Sequence, residues 1–155
     1  MRVICAATAA DAASILALQK RAYESEARLY NDWSIPPLTQ TLGSLLAEIE
    51  KITVLRATEG QDIVGSVRAS LSNQTCLIGR LIVEPALQGR GIGTALLQAI
   101  EASFPHASRF ELFTGSKSEG NMRLYGRLGY IVTGSRQLSE QVVLVVMSKH
   151  VRADA

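Results

Sequence analysis

Apolar and polar positions alternate along the chain in two periods, one of helices and one of strands. Arg2 to Ala6 is a short β-branched run and predicts a strand. Thr8, three residues before Asp11, makes a capping-box-like helix start, with Asp in place of Glu or Gln. The helix that follows turns Ala12, Ile15, Leu16 and Leu18 inward and Lys20, Arg21, Glu24 and Glu26 outward. Asn31 to Pro37 breaks it, with Pro36-Pro37 as the stop. Leu38, Leu42, Leu45, Leu46 and Ile49 then recur at helical spacing, which predicts a second helix to about Glu50.

Beyond that point the period shortens. Thr53 to Thr58, Ile63 to Leu71 and Thr75 to Val83 predict three strands joined by turns at 59–62 and 72–74, an antiparallel meander. Gly89 to Gly93 opens a helix through Phe104, with Leu96, Leu97 and Ile100 on one face and Pro105 as its end. Phe110 to Thr114 predicts a strand, Asn121 to Leu128 a short helix, and Tyr130 to Gly134 and Gln141 to Lys149 two last strands. The order is βααβββαβαββ. The unit around Gly89 runs strand–helix–strand and has to cross over in parallel. The fold class is therefore α/β (α+β), a mixed, mostly antiparallel central sheet with helices on both faces. Residues 1–150 read as a single domain and 151–155 as a short frayed tail.

Composition narrows the function classes. The chain has 155 residues, of which 47% are hydrophobic and 19% charged, enough to bury a core without a disulfide or metal. Only 5% are aromatic, so that core is mostly aliphatic. Sixteen Lys and Arg against fourteen Asp and Glu leave a net charge of +2, too small to argue for nucleic acid. Cys5 and Cys76 stand far apart, and neither belongs to a C-x-x-C, which predicts free buried thiols and no metal or redox centre. Ala7-Thr8-Ala9 imitates a signal-peptidase site, but the apolar run before it is too short for a signal peptide. No stretch approaches the length of a membrane span. The expectation is a soluble, cytoplasmic protein with no membrane partner.

The segment from Val83 to Thr94 carries most of the chemistry. A strand ends, a turn follows, and Gly89, Gly91 and Gly93 lead into a helix. The first N–H groups of a helix have no partner within it, and its dipole is positive at that end. Glycines let a diphosphate approach the backbone, and Arg90 adds a cation. A glycine-rich turn that only permits close packing is the plain alternative. A dinucleotide G-x-G-x-x-G starting at Gly89 fails at Thr94, and a P-loop fails because the chain has no Gly-Lys pair.

Gln88-Gly89-Arg90-Gly91-Ile92-Gly93 resembles the Q/R-x-x-G-x-G/A motif of the GNAT superfamily of N-acetyltransferases. Arg80 to Pro85 is similar to that superfamily's strand ending in V-x-P. Asn121 to Tyr130 is similar to its second signature, in which Asn121, Tyr125, Gly129 and Tyr130 are the matching residues. The resemblance spans Arg2 to about Lys149. It implies that acetyl-CoA, as co-substrate and with no metal, lies between two splayed parallel strands. Leu81, Ile82 and Val83 would pair with the pantetheine arm through their backbone. Gln88, Gly89, Arg90, Gly91, Ile92, Gly93 and Thr94 would hold the diphosphate, and Asn121 the pantetheine or a nearby water. Asn121 as a helix cap and Leu81 to Val83 as core are the plain readings of the same residues.

Tyr125 matches the tyrosine that reaches the CoA sulfur, where a phenol can protonate the departing thiolate; otherwise it is a buried ring on the sheet. Tyr130 reads as core, and Lys117 and Arg123 as surface charges that could meet the ribose phosphate. Many relatives carry a carboxylate base in the strand before V-x-P, but Thr75 to Val83 contains none. Glu111, Glu24 and Glu26 are the candidates, and a water relayed by backbone carbonyls would also serve, so the base is unassigned. Tyr23, Glu24, Tyr30, Asp32 and Trp33, with Glu111, are expected at the acceptor side, where aromatic and acidic character suits a cationic amine.

The reading that follows is direct N-acetyl transfer from acetyl-CoA to a primary amine, on a small molecule or a peptide. No Cys or Ser is placed to favour a covalent acyl-enzyme. A catalytically inactive acyl-CoA-binding sensor or interaction module is the alternative, and a nucleotide-binding protein using the same turn is a third. The acceptor's identity, the acyl preference beyond acetyl and the oligomeric state, a homodimer included, stay open.

Overall fold

The computed structural model describes residues 2–151. Among them, seven strands form one sheet: β1 (Arg2–Ala6), β2 (Thr53–Glu59), β3 (Asp62–Ser72), β4 (Thr75–Val83), β5 (Arg109–Gly115), β6 (Ile131–Gln137) and β7 (Val143–His150). Their order is β1-β2-β3-β4-β5-β7-β6. Every pairing is antiparallel except β4 with β5. The helices are α1 (Ala12–Tyr30), α2 (Pro36–Thr39), α3 (Leu42–Lys51), α4 (Ile92–Ala102) and α5 (Glu119–Arg127).

One element departs from expectation. The single second helix from Leu38 is two helices, and Pro36-Pro37 begins the first of them instead of stopping α1. Proline costs nothing at the first helical positions, where its missing N–H has no partner anyway. Gln40 is extended at ψ 136°, and Thr41 starts α3 afresh by accepting from the Ser44 N–H at 3.1 Å. At the other end of α1 the expected cap is present, with the Thr8 N–H donating to the Asp11 carboxylate at 2.8 Å. Asp11 also pairs with Arg56 of β2 at 3.0 Å, which ties the helix start to the sheet.

Strand alternation assigns the two faces. Leu96, Leu97 and Ile100 of α4 and Tyr125 of α5 pack with Leu55, Val67, Cys76, Phe110 and Leu112 in the largest core cluster. Ala12 and Ile15 of α1 and Leu45 of α3 pack on Val54, from the opposite face of β2. The last turn of α1 reaches the chain just before β7, where Ala27 and Tyr30, with Ile35 from the following loop, pack with Val142. Leu16 is half-buried on the Val54 cluster, and Glu26, expected outward, is half-buried as well. Cys76 is buried and Cys5 half-buried, and both are free. No helix among the described residues is long and apolar enough to cross a membrane. Val151 donates its N–H to the Ser108 carbonyl at 3.0 Å, while the remainder of the expected tail, residues 152–155, lies outside the described residues.

The feature that positions a site is the partial pairing of β4 with β5. They are in register only from Thr75 opposite Arg109 to Ile78 opposite Leu112, although both continue further. On the β3 side, Gly79 faces Arg68 and Ile82 faces Ser66, so Arg80 and Leu81 together oppose Val67. This is a β-bulge, with Arg80 left-handed at φ +51°. A bulge bends its strand. Past it, β4 holds β3 on one edge and leaves its other edge without a strand.

Candidate active site

Between the splayed ends of β4 and β5 lies a cleft of about 740 Å³. Its first half is built from β4, the glycine turn, α4 and α5. Leu81, Ile82 and Val83 line it with the unpaired strand edge, which offers backbone donors and acceptors to an extended ligand. Gln88, Gly89, Gly91, Ile92, Gly93 and Thr94 line it too. The first N–H bonded within α4 is that of Ala95, to the Gly91 carbonyl at 3.0 Å, so the preceding three N–H groups have no partner in the helix. Gly89 and Gly91 both take φ +81°, and a Cβ on either would meet nothing within 4 Å. Backbone conformation thus demands glycine at these positions, and the space beside them is open. Arg90 is exposed and outside the cleft, where its carbonyl accepts from Arg2 at 3.1 Å.

Asn121, Leu124 and Tyr125 of α5 close this half. Tyr125 is 6% exposed, and its ring lies 6.1 Å from that of Tyr130. Burial, with Tyr23 and Glu26 adding to it, pushes the Tyr125 phenol well above its ordinary pKa. A phenol carries its proton at neutral pH, as a proton donor must. Tyr130 is core, with its hydroxyl donating to Glu101 at 2.7 Å. Thr114 of β5 also lines the cleft, and its buried hydroxyl has no hydrogen-bond partner among the described residues. Nothing in the strand pattern of β5 singled it out.

The second half belongs to the face covered by α1 to α3. Glu26 accepts from the Ser118 hydroxyl at 2.7 Å, and that hydroxyl lies 3.2 Å from the Tyr30 hydroxyl. The Lys117 N–H donates to Tyr30 at 2.7 Å. Tyr30 reaches β5 only because residue 115 is glycine, since a Cβ there would sit 2.0 Å from the phenol oxygen. Tyr23 lines the same wall, and burial raises its pKa.

Four of the expected acceptor residues lie elsewhere. Glu24 is exposed, Trp33 is 52% exposed, and neither faces the cleft. Asp32 is buried, but Ser34 and Ser139 occupy its carboxylate, at 2.6 and 2.8 Å from the two hydroxyls. Glu111 pairs with Arg109 at 2.9 Å, outside the cleft. Lys117 and Arg123 are likewise outside it. The nearness in sequence of Tyr23 to Trp33 failed as a guide because α1 ends at Tyr30, and the chain then turns away through a left-handed Asn31.

In their place the cleft is lined by Arg68, Arg80, Arg127 and Arg136. Arg136 stacks over Phe113, which also lines the cleft, at 4.6 Å. A glycine before an arginine in mid-strand, Gly79-Arg80, was the available signal, since glycine inside a strand marks a bulge.

A family model described as an acetyltransferase (GNAT) domain matches residues 38–151. Over 100 residues the chain is 26% identical to YdhI of Bacillus subtilis (strain 168), an uncharacterized protein; the match covers 63% of this chain and 61% of that one. Among solved structures, the PaiA N-acetyltransferase of Thermoplasma acidophilum, in complex with coenzyme A, superposes with a TM-score of 0.81 at 15% identity, over 97% of this chain and 99% of that one. YncA of Salmonella typhimurium, a putative acetyltransferase solved with its cofactor acetyl-CoA, superposes at 0.78 and 22% identity, over 99% and 96%. The ribosomal-protein-S18-alanine N-acetyltransferase of Escherichia coli superposes at 0.81 and 14% identity, over 100% and 97%. These likenesses show the fold.

Proposed function

Because the chain belongs to the GNAT acetyltransferase family, we propose that it moves the acetyl group of acetyl-CoA directly to a primary amine held in the second half of the cleft. One observation carries this reading. The unpaired edge of β4, the unpartnered N–H groups of α4 and the protonated Tyr125 phenol open into one cleft. Acetyl-CoA supplies an activated thioester. The edge from Leu81 to Val83 binds and orients an extended arm, and the turn from Gln88 to Thr94 holds a diphosphate at the positive end of α4. Asn121 adds a polar contact.

Attack by the amine leaves two protons to manage. Tyr125 gives its proton to the departing thiolate. Glu26 is the only one of the three candidate carboxylates that lines the cleft, and it takes the proton from the amine. Ser118, itself held by Tyr30, donates to its carboxylate. Cys76 takes no part: it is buried in the core, where desolvation raises its pKa to about 11.

Free-thiol release from acetyl-CoA across a panel of amines tests this. Turnover with at least one amine that falls on Glu26→Gln, with the KM for acetyl-CoA unchanged, is the expected result. Tight binding of acetyl-CoA without turnover on any amine would leave a binding module instead.

A further inference from the structure

The cleft is cationic where the sequence pattern leads one to expect acid. Arg68, Arg80, Arg127 and Arg136 line the cleft against one carboxylate, Glu26. Arg127 and Arg136 are exposed; Arg68 and Arg80 are half-buried. Arg68 is already neutralised by Glu48 of α3. The second Glu48 oxygen accepts from the Gln40 amide at 2.7 Å. The Gln40 carbonyl oxygen in turn accepts from Gln19 at 2.9 Å and from Arg80 at 3.1 Å. Arg80 thus meets a neutral amide, and among the described residues it forms no ion pair.

This arrangement is costly on two counts. A half-buried cation with no carboxylate in contact is unfavourable: burial and then Arg68 pull the Arg80 pKa below its ordinary range, against a smaller opposing pull from Tyr23 and Glu48. Its backbone is also left-handed at φ +51°, a conformation that glycine adopts freely and arginine does not. Residues kept in such conformations cluster where a ligand is held. Arg80 lines the cleft, is fixed through Gln40 and makes no other side-chain hydrogen bond among the described residues.

We propose that Arg80 binds a carboxylate carried by the acceptor, so that the substrate is an amine that is also an acid, its nitrogen toward Glu26 and its carboxylate toward Arg80. This rests on the acetyl-transfer reading. The planar guanidinium fork matches a carboxylate in a way that an ammonium does not. A free amino acid or an acidic side chain of a peptide could supply the same group.

The test measures thiol release with acetyl-CoA saturating, over amino acids as free acids and as carboxamides, and over Gly-Asp and Gly-Asn amides. For the preferred acceptor, kcat/KM should exceed that of its neutral counterpart by at least about 10-fold, the scale of one hydrogen bond to a charged group. Preference among free acids identifies an amino acid, and preference for Gly-Asp amide a peptide. In Arg80→Gly the acid-to-neutral ratio should fall to about one. Glycine suits the left-handed backbone, and Arg80→Asn, a second residue that accepts it, guards against a folding defect.

Equal rates for acid and neutral forms, or a ratio that survives both substitutions, would overturn the proposal. If no amine turns over, calorimetric titration of the same pairs into the CoA-loaded protein separates the two ideas. Acid-selective binding lost in Arg80→Gly supports the carboxylate site without the transfer reading, and unselective binding sinks it.

Discussion

Tyr125 and Asp32 show how differently two buried polar side chains can be employed. Tyr125→Phe keeps the ring and removes the hydroxyl. Loss of the proton donor should lower kcat by about 10²–10⁴-fold with little change in Tm, and Tyr125→Ala should lose as much activity and stability besides. A nearly active Phe variant beside an unstable Ala variant would reduce Tyr125 to a packing residue. Asp32 is a staple between the loop after α1 and the chain before β7, and hydrogen bonds from Ser34 and then Ser139 hold its pKa below the ordinary carboxylate value. A lowered folded pKa contributes stability that is present above the unfolded value, near 4, and is lost as the pH falls through the folded one. Asp32→Asn should therefore lower the Tm at neutral pH, and the gap to the wild type should close on acidification below about pH 4, as thermal melts across pH will show.

The elements that build the cleft depend on a few close approaches. Helix α1 docks on β5 through Tyr30 against Gly115, where an added methyl would collide with the phenol ring. Gly115→Ala should cost about 1–3 kcal/mol in urea denaturation, the usual penalty of overpacking, and should lower turnover by unseating Tyr30 and Ser118 beside Glu26. At the start of α4, Gly91 is the N-cap at φ +81°. A valine there would strain the backbone whatever it did to a ligand, so weaker CoA binding by such a variant would be ambiguous. Gly91→Asn tolerates the left-handed backbone and still places a side chain beside the first N–H groups. It should weaken CoA binding in titration calorimetry while the apo protein melts within a few degrees of the wild type.

At the scale of the whole molecule, the cleft is a gap in an otherwise continuous sheet, and a ligand that bridges it joins the β4 and β5 halves. A ligand at about 100 times its Kd stabilises the native state by about 2.7 kcal/mol, so acetyl-CoA should raise the Tm by about 5 °C or more. Hydrogen exchange should slow at residues 81–83 and 92–94, where the backbone N–H groups gain partners. Protection confined to other segments would place the ligand elsewhere.

The periodicity alone was enough for the seven strands, the meander and the α4 crossover, because the alternation of buried and exposed positions is a local property of each element. Gly89 and Gly91 were legible for a related reason, since a helix N-terminus carries its chemistry within one segment, whereas Tyr125 was singled out only by the resemblance to the family's second signature. On the acceptor side only Tyr23, Glu26 and Tyr30 were legible. Arg68, Arg80, Gln40 and Glu48 come from two strands, a linker and a helix, and they meet where β4 bulges at Gly79-Arg80 and Glu48 of α3 reaches Arg68 of β3. Asp32 and Trp33 looked eligible by nearness in sequence, yet a left-handed residue after α1 sends them away from the cleft. Local sequence determines which segments are strands and helices and where a phosphate could rest. Which charges share a cleft is set by long-range packing, since it depends on how far two strands splay and on which helix covers them.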